Sequence, residues 1–194
     1  MSGVATVVRL VTAAAVLISG LMVMPLLRGR APRTVARALL AALGVKLVWR
    51  GPAPRPGSLL VANHVSWLDV LALLAVAPMT LVAKREVRAW PAVGATARAV
   101  GVIFVDRARP KRLPATVSEI TAALRAGRSV AVFPEGTTFC GAEAGRFRPA
   151  VFQAAVDARV PVVPIAIRYA SRRHRSSVTT RCGHRYAAWQ DCAG

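Results

Sequence analysis

The sequence predicts a layered α/β domain, a mostly parallel sheet flanked by helices, with an N-terminal membrane helix in front of it. Three observations carry that expectation. Short, uniformly apolar runs alternate with longer helical stretches from residue 59 to residue 167. That is how buried parallel strands and their connecting helices read. Polar residues gather where the apolar runs end, and open α/β sheets bind ligands at the carboxyl ends of their strands. Residues 10–27 form an 18-residue stretch without a charge.

That apolar stretch comes first in the chain. As a helix it would be roughly 27 Å long, close to the ~30 Å hydrocarbon core of a bilayer. Arg9 precedes it, and Arg28, Arg30, Arg33 and Arg37 follow. Basic residues prefer the cytoplasmic flank, so the rest of the chain is expected on the cytoplasmic side of the cell membrane. A cleaved signal peptide would have a shorter apolar region followed by small residues, not arginines. Residues 34–49 read as a second helix, with Leu39, Leu43 and Leu47 on one face. That helix lies either on an anionic membrane surface or against the domain.

The Pro/Gly segment 51–58 reads as a linker. Beyond it, residues 59–63, 79–83, 102–106, 129–133 and 162–167 are expected as strands. Residues 66–76, 113–125 and 148–158 are expected as helices. The organisation is therefore an anchor with an amphipathic helix over 1–50, an α/β domain over 51–170 and an atypical basic tail over 171–194. The tail shows no apolar period and reads as neither strand nor helix. It looks truncated or foreign, and a sheet edge beside it is expected to be uncovered.

Composition narrows the partners. The chain has 194 residues, 55% of them hydrophobic and 18% charged, which excludes a disordered chain. Its 27 Lys+Arg against 8 Asp+Glu give a net charge of +19. A basic surface suits nucleic acid, anionic lipid or acidic small molecules. The apolar N-terminus favours lipid, and no nucleic-acid-binding signature is present. Cys140, Cys182 and Cys192 are an odd number at no metal-ligand spacing, so neither a disulfide framework nor a metal site is expected.

The chemistry centres on His64. Histidine is the side chain best suited to proton abstraction near neutral pH, and it needs an acceptor on its second ring nitrogen. Asp69 is the candidate. On one continuous helix, residues five apart point about 140° away from each other. They meet if His64 lies in the loop before the helix, with Ser66 as N-cap and Asp69 in the first turn.

Asn63, His64 and Asp69 resemble the first motif of the glycerolipid acyltransferases, the family of the bacterial 1-acylglycerol-3-phosphate acyltransferases. Residues 101–107 (GVIFVDR) resemble the second motif, 133–138 (FPEGTT) the third and 160–165 (VPVVPI) the fourth. Residues 145–150 (GRFRPA) are similar to the basic segment between the last two. The resemblance implies that family's α/β fold. It implies transfer of an acyl group from a coenzyme A or acyl carrier protein thioester to a lysophospholipid hydroxyl. His64 and Asp69 would be catalytic. Arg107, Gly136 and Thr137 would grip the acceptor phosphate, and Glu135 would hold Arg107 or a glycerol hydroxyl. Asp106 would be structural. No metal or resident cofactor is implied, and membrane lipids are the expected surroundings. Thr138 stands where many relatives carry Arg, which leaves the acceptor open. Lysophosphatidate is the first expectation, and the lyso form of ornithine lipid or another lysolipid the second. A truncated, non-catalytic membrane-binding relative is the competing reading.

Overall fold

The computed structural model describes residues 3–23, 31–91, 93–139, 145–172 and 175–182. The elements run α1 (Gly3–Val23), α2 (Ala31–Ala42), β1 (Lys46–Arg50), β2 (Leu59–Ala62), α3 (Leu68–Val76), β3 (Thr80–Lys84), α4 (Val93–Ala99), β4 (Ile103–Val105), α5 (Leu113–Arg125), β5 (Val130–Val132), α6 (Ala150–Ala158), β6 (Val162–Arg172) and β7 (Arg175–Cys182). The strands form one seven-stranded sheet in the order β1-β7-β6-β2-β5-β3-β4. β6, β2, β5, β3 and β4 are mutually parallel. β7 runs antiparallel to β6, and β1 runs parallel to β7.

The apolar strands are apolar because the sheet is covered on both faces. Along β2, Leu59 and Val61 pack with Ile120, Leu124, Ala154 and Ala155 of α5 and α6. Leu60 and Ala62, pointing the other way, pack with Ala72 and Leu73 of α3. Period-two alternation thus sends successive side chains into two different cores. At about 0.8 kcal/mol per buried CH₂, these two layers are the main cohesive term of the domain.

Three sequence expectations change here. First, among the described residues no helix is long and apolar enough to cross a membrane. The helix expected over 10–27 begins earlier, at Gly3, and so includes Arg9. That guanidinium packs 3.2 Å from the Cβ position of Gly44, in the turn after α2. Residues 24–27 of the expected span lie outside the described residues.

Second, the helix expected over 34–49 ends at Ala42, and residues 46–50 form β1. Gly44, at φ +73°, makes the turn that separates them. The α2 helix lies against the domain through buried Ala36 and Leu40, which pack with Ala75 of α3. Its Arg33 and Arg37 do not face away from the domain. Both donate their Nε–H to the Ala75 carbonyl, at 3.2 and 2.9 Å. They satisfy a carbonyl at the end of α3 that has no partner within the helix.

Third, the segment expected to be neither strand nor helix supplies β7. It pairs with β6 from Ile165↔Cys182 to Arg172↔Arg175, so this side of β6 is covered. The apolar period that would have announced a strand is absent because β7 takes its order from backbone pairing. Residues 183–194 lie outside the described residues.

Candidate functional site

His64 sits two residues past β2, in the loop that leads into α3. The loop is held by a carboxylate at its far end. Asp69, in the first turn of α3 and fully buried, turns Oδ2 back to accept the backbone N–H of Val65 at 2.6 Å and of Ser66 at 2.8 Å. Ser66 Oγ accepts the Leu68 N–H at 3.1 Å. The N-cap position of α3 is Trp67 rather than the expected Ser66, and it has no side-chain cap; the Asp69 carboxylate instead gathers the amides of the preceding loop and fixes how the chain enters α3. The same Asp69 Oδ2 lies 2.9 Å from His64 Nδ1. Asp69 therefore both holds the loop amides and meets the His64 ring.

The loop is also tied on three other sides. Asn63 bridges to β6, accepting the Ile167 N–H at 2.7 Å and donating to the Ile167 carbonyl at 3.0 Å. The His64 N–H donates to Glu135 Oε2 at 2.9 Å, and the His64 carbonyl accepts the Phe139 N–H at 2.8 Å. The imidazole stacks on Phe133 with centroids 4.1 Å apart and planes 18° from parallel. The ring keeps 18% of its surface exposed. With Nδ1 on Asp69, Nε2 is left to meet a substrate.

Glu135 differs from expectation. Its buried carboxylate does not hold Arg107; Oε2 takes the His64 N–H, and Oε1 takes the Gly145 N–H at 3.3 Å. The acid nearest Arg107 in electrostatic effect is Glu86. Asp106 bonds Arg85 at 2.8 Å, and that guanidinium holds its carboxyl below the usual carboxylate range. The pair ties the turn after β3 to the end of β4.

Arg107 follows β4 and is exposed. Partial burial of its guanidinium and the nearby Arg148 cation lower its affinity for the proton, and Glu86 opposes them. Among the described residues no carboxylate hydrogen-bonds Arg107. Gly136 has φ +78°, and the Arg148 guanidinium lies 3.3 Å from where its Cβ would be. A side chain here would be strained and would push Arg148 away. Arg148 is anchored by its own N–H on the Pro134 carbonyl at 3.0 Å. Thr137 and Thr138 are exposed beyond Gly136. Two arginines thus converge near a glycine turn at the carboxyl end of the sheet, the end that also carries His64. Such a place attracts an anion, and Arg remains charged at any ordinary pH.

Tyr169 escaped the sequence reading. Its hydroxyl donates to Asp69 Oδ1 at 2.5 Å. A signal was present: Val163, Ile165, Ile167 and Tyr169 alternate along β6, so Tyr169 shares the face that packs on α3.

The chain matches the family model described as Acyltransferase over residues 46–168. It belongs to the acyltransferase family. The 1-acyl-sn-glycerol-3-phosphate acyltransferase of Neisseria meningitidis serogroup B is 38% identical over 144 residues, which are 73% of this chain and 56% of that protein. The lyso-ornithine lipid O-acyltransferase of Pseudomonas aeruginosa is 41% identical over 144 residues, 74% of this chain and 55% of that protein. The chain thus spans little more than half the length of these curated relatives. The crystal structure of the 1-acyl-sn-glycerophosphate (LPA) acyltransferase PlsC from Thermotoga maritima superposes with a TM-score of 0.65. The match covers 93% of this chain and 83% of that one at 20% identity, a likeness of fold.

Proposed function

We propose that this acyltransferase-family chain moves a fatty acyl group from an acyl thioester to the hydroxyl of a lysophospholipid. The acceptor is 1-acylglycerol-3-phosphate and the product phosphatidic acid. The observation that carries the reading is the 2.9 Å contact of His64 Nδ1 with buried Asp69, which leaves Nε2 as the base. His64 takes the proton as the acceptor oxygen attacks the thioester carbonyl. Asp69 steadies the imidazolium that forms. The tetrahedral intermediate collapses, the carbon–sulfur bond breaks, and the thiol leaves with the proton held by His64. The acceptor hydroxyl is itself the nucleophile, so no acyl-enzyme forms.

Arg107 and Arg148, with the Gly136–Thr137 turn, bind the acceptor phosphate. Two cations without an intervening carboxylate favour a phosphate monoester over a headgroup that carries its own amine. Lyso-ornithine lipid is the second reading, supported by the Pseudomonas relative and by Thr138. The donor is coenzyme A or acyl carrier protein thioester. A membrane-fraction assay with labelled acyl thioester and a panel of lysolipids tests all of this. Product from lysophosphatidate is expected; transfer to lyso-ornithine lipid alone would replace the acceptor.

The membrane is met through exposed apolar side chains. Val7, Val8, Leu10 and Val11 of α1 are each more than half exposed, as are Trp67 beside the His64 loop and Trp90. Apolar attachment resists salt, whereas attraction of basic residues to anionic lipid is screened. The protein is expected in the membrane pellet after a high-salt wash, on the cytoplasmic face, and in solution only with detergent. Recovery in the salt wash would reject apolar attachment.

A further inference from the structure

We propose that Tyr169 is a positioning residue for the His64–Asp69 pair, fixing the rotation of the Asp69 carboxylate through its bond to Oδ1. The proposal rests on the acyl-transfer reading above. Asp69 has one oxygen crowded and one served once. Oδ2 takes the Val65 and Ser66 amides and faces His64 Nδ1. Oδ1 takes the Tyr169 hydroxyl. With its three other partners all on Oδ2, the second oxygen of the carboxylate would have no donor without Tyr169. A donor on that oxygen fixes the carboxylate's rotation and keeps Oδ2 in line with the imidazole.

The donor is itself well held. Ring packing places Tyr169 with Ile165, Ile167 and the apolar side of α3. Asn63 clamps the same strand two residues earlier, through both polar groups of Ile167. β6 therefore meets the His64 loop at two points, one through backbone and one through a side chain. The register is set from outside as well, because Tyr169 lies opposite Val178 of β7. Burial first, and then donation to Asp69, push the phenol well above its ordinary value, against a bond with Ser66 that lowers it, so the hydroxyl stays a donor throughout the working range. The other titratable group at the loop is Glu135, bonded to the His64 amide.

The test is Tyr169→Phe, which keeps the ring and removes the donor. Each variant is compared with wild type at a temperature where circular dichroism shows both folded. The expected result is a fall in kcat of about tenfold, one 1.36 kcal/mol interaction, with KM for both substrates unchanged. The low-field proton resonance of His64 Nδ1–H, assigned by its loss in His64→Gln, should move upfield and broaden. A folded variant with wild-type kcat and an unmoved resonance would overturn the proposal. So would a lower melting temperature as the sole change. A wild-type protein inactive on every lysolipid, in which the resonance still responds to Tyr169→Phe, would remove the acyl-transfer reading and leave the positioning role standing.

Discussion

The loop carrying His64 and the turn beside Arg107 lie at the same end of one sheet, yet they are built on opposite principles. In the loop, the Asn63 side chain, the His64 backbone, His64 Nδ1 and the Val65 and Ser66 amides are already engaged within the protein. Asp69 alone gathers two amides, an imidazole and a phenol. The turn beside Arg107 is open: its donors are exposed and its two arginines are gathered without a carboxylate bonded to Arg107. A group that must act on a proton is rigid before substrate arrives. A group that must bind an anion keeps its donors unspent. Removing the carboxylate that holds the loop should therefore damage catalysis and stability together, whereas removing Arg107 should damage binding alone.

The largest expected effect breaks this comparison if it fails. His64→Ala removes the base and should lower kcat by about 10²–10⁴-fold. The backbone bonds to Glu135 and Phe139 persist, so circular dichroism should be unchanged. Asp69→Ala should abolish most activity and also unfold the protein more easily. It strands the Val65 and Ser66 amides, each at roughly 1–3 kcal/mol when left without a partner, and removes one of the Tyr169 hydroxyl's two partners. A melting temperature equal to wild type would show that the loop does not depend on its carboxylate.

Arg107→Ala sharpens the other side. Loss of a charge-assisted contact of roughly 1.5–3 kcal/mol should raise KM for a phosphate-bearing lysolipid, with kcat and melting temperature nearly constant. A change confined to the thioester constant would place Arg107 on the donor side. Alkaline unfolding gives a smaller effect. The Tyr169 phenol is raised in the fold above its ordinary 10.0, so its stabilising contribution is complete below that value. It is lost as pH climbs from there toward the folded value, and Tyr169→Phe should flatten that part of the stability curve. The smallest effect is expected from Arg37→Ala, which removes one of two donors on the Ala75 carbonyl. A modest drop in melting temperature with unchanged membrane retention fits its place against α3.

Much of this was legible in the residues. The five parallel strands announced themselves as apolar runs because a sheet covered on both faces asks every side chain to be apolar. His64 and Asp69 were legible because an acid in the first turn of a helix can reach the loop before it, and that reach brings the carboxylate to the ring. The hold of Glu135 on the His64 loop was not legible because its partner is a backbone amide, and a backbone amide has no letter in the sequence. β1 was hidden inside a helical pattern: Leu39, Leu43 and Leu47 keep helical spacing, but the Gly44 turn interrupts the helix. β7 was hidden because strands ordered by backbone pairing need no apolar period.

The outer pair of strands also bears on the order of assembly. Among the described residues β1 pairs with β7 alone, with Lys46 beside Ser177 and Arg50 beside Arg181. β1 must wait for β7, which is made after every strand between them. At roughly 5–20 residues per second the wait on the ribosome is on the order of ten seconds. During that time the central strands can close around α3, α5 and α6 while β1 stays unpaired. Pairings between such distant segments are the slow ones in folding. Closure of the sheet at β1 is thus expected after the His64 loop has already taken its shape.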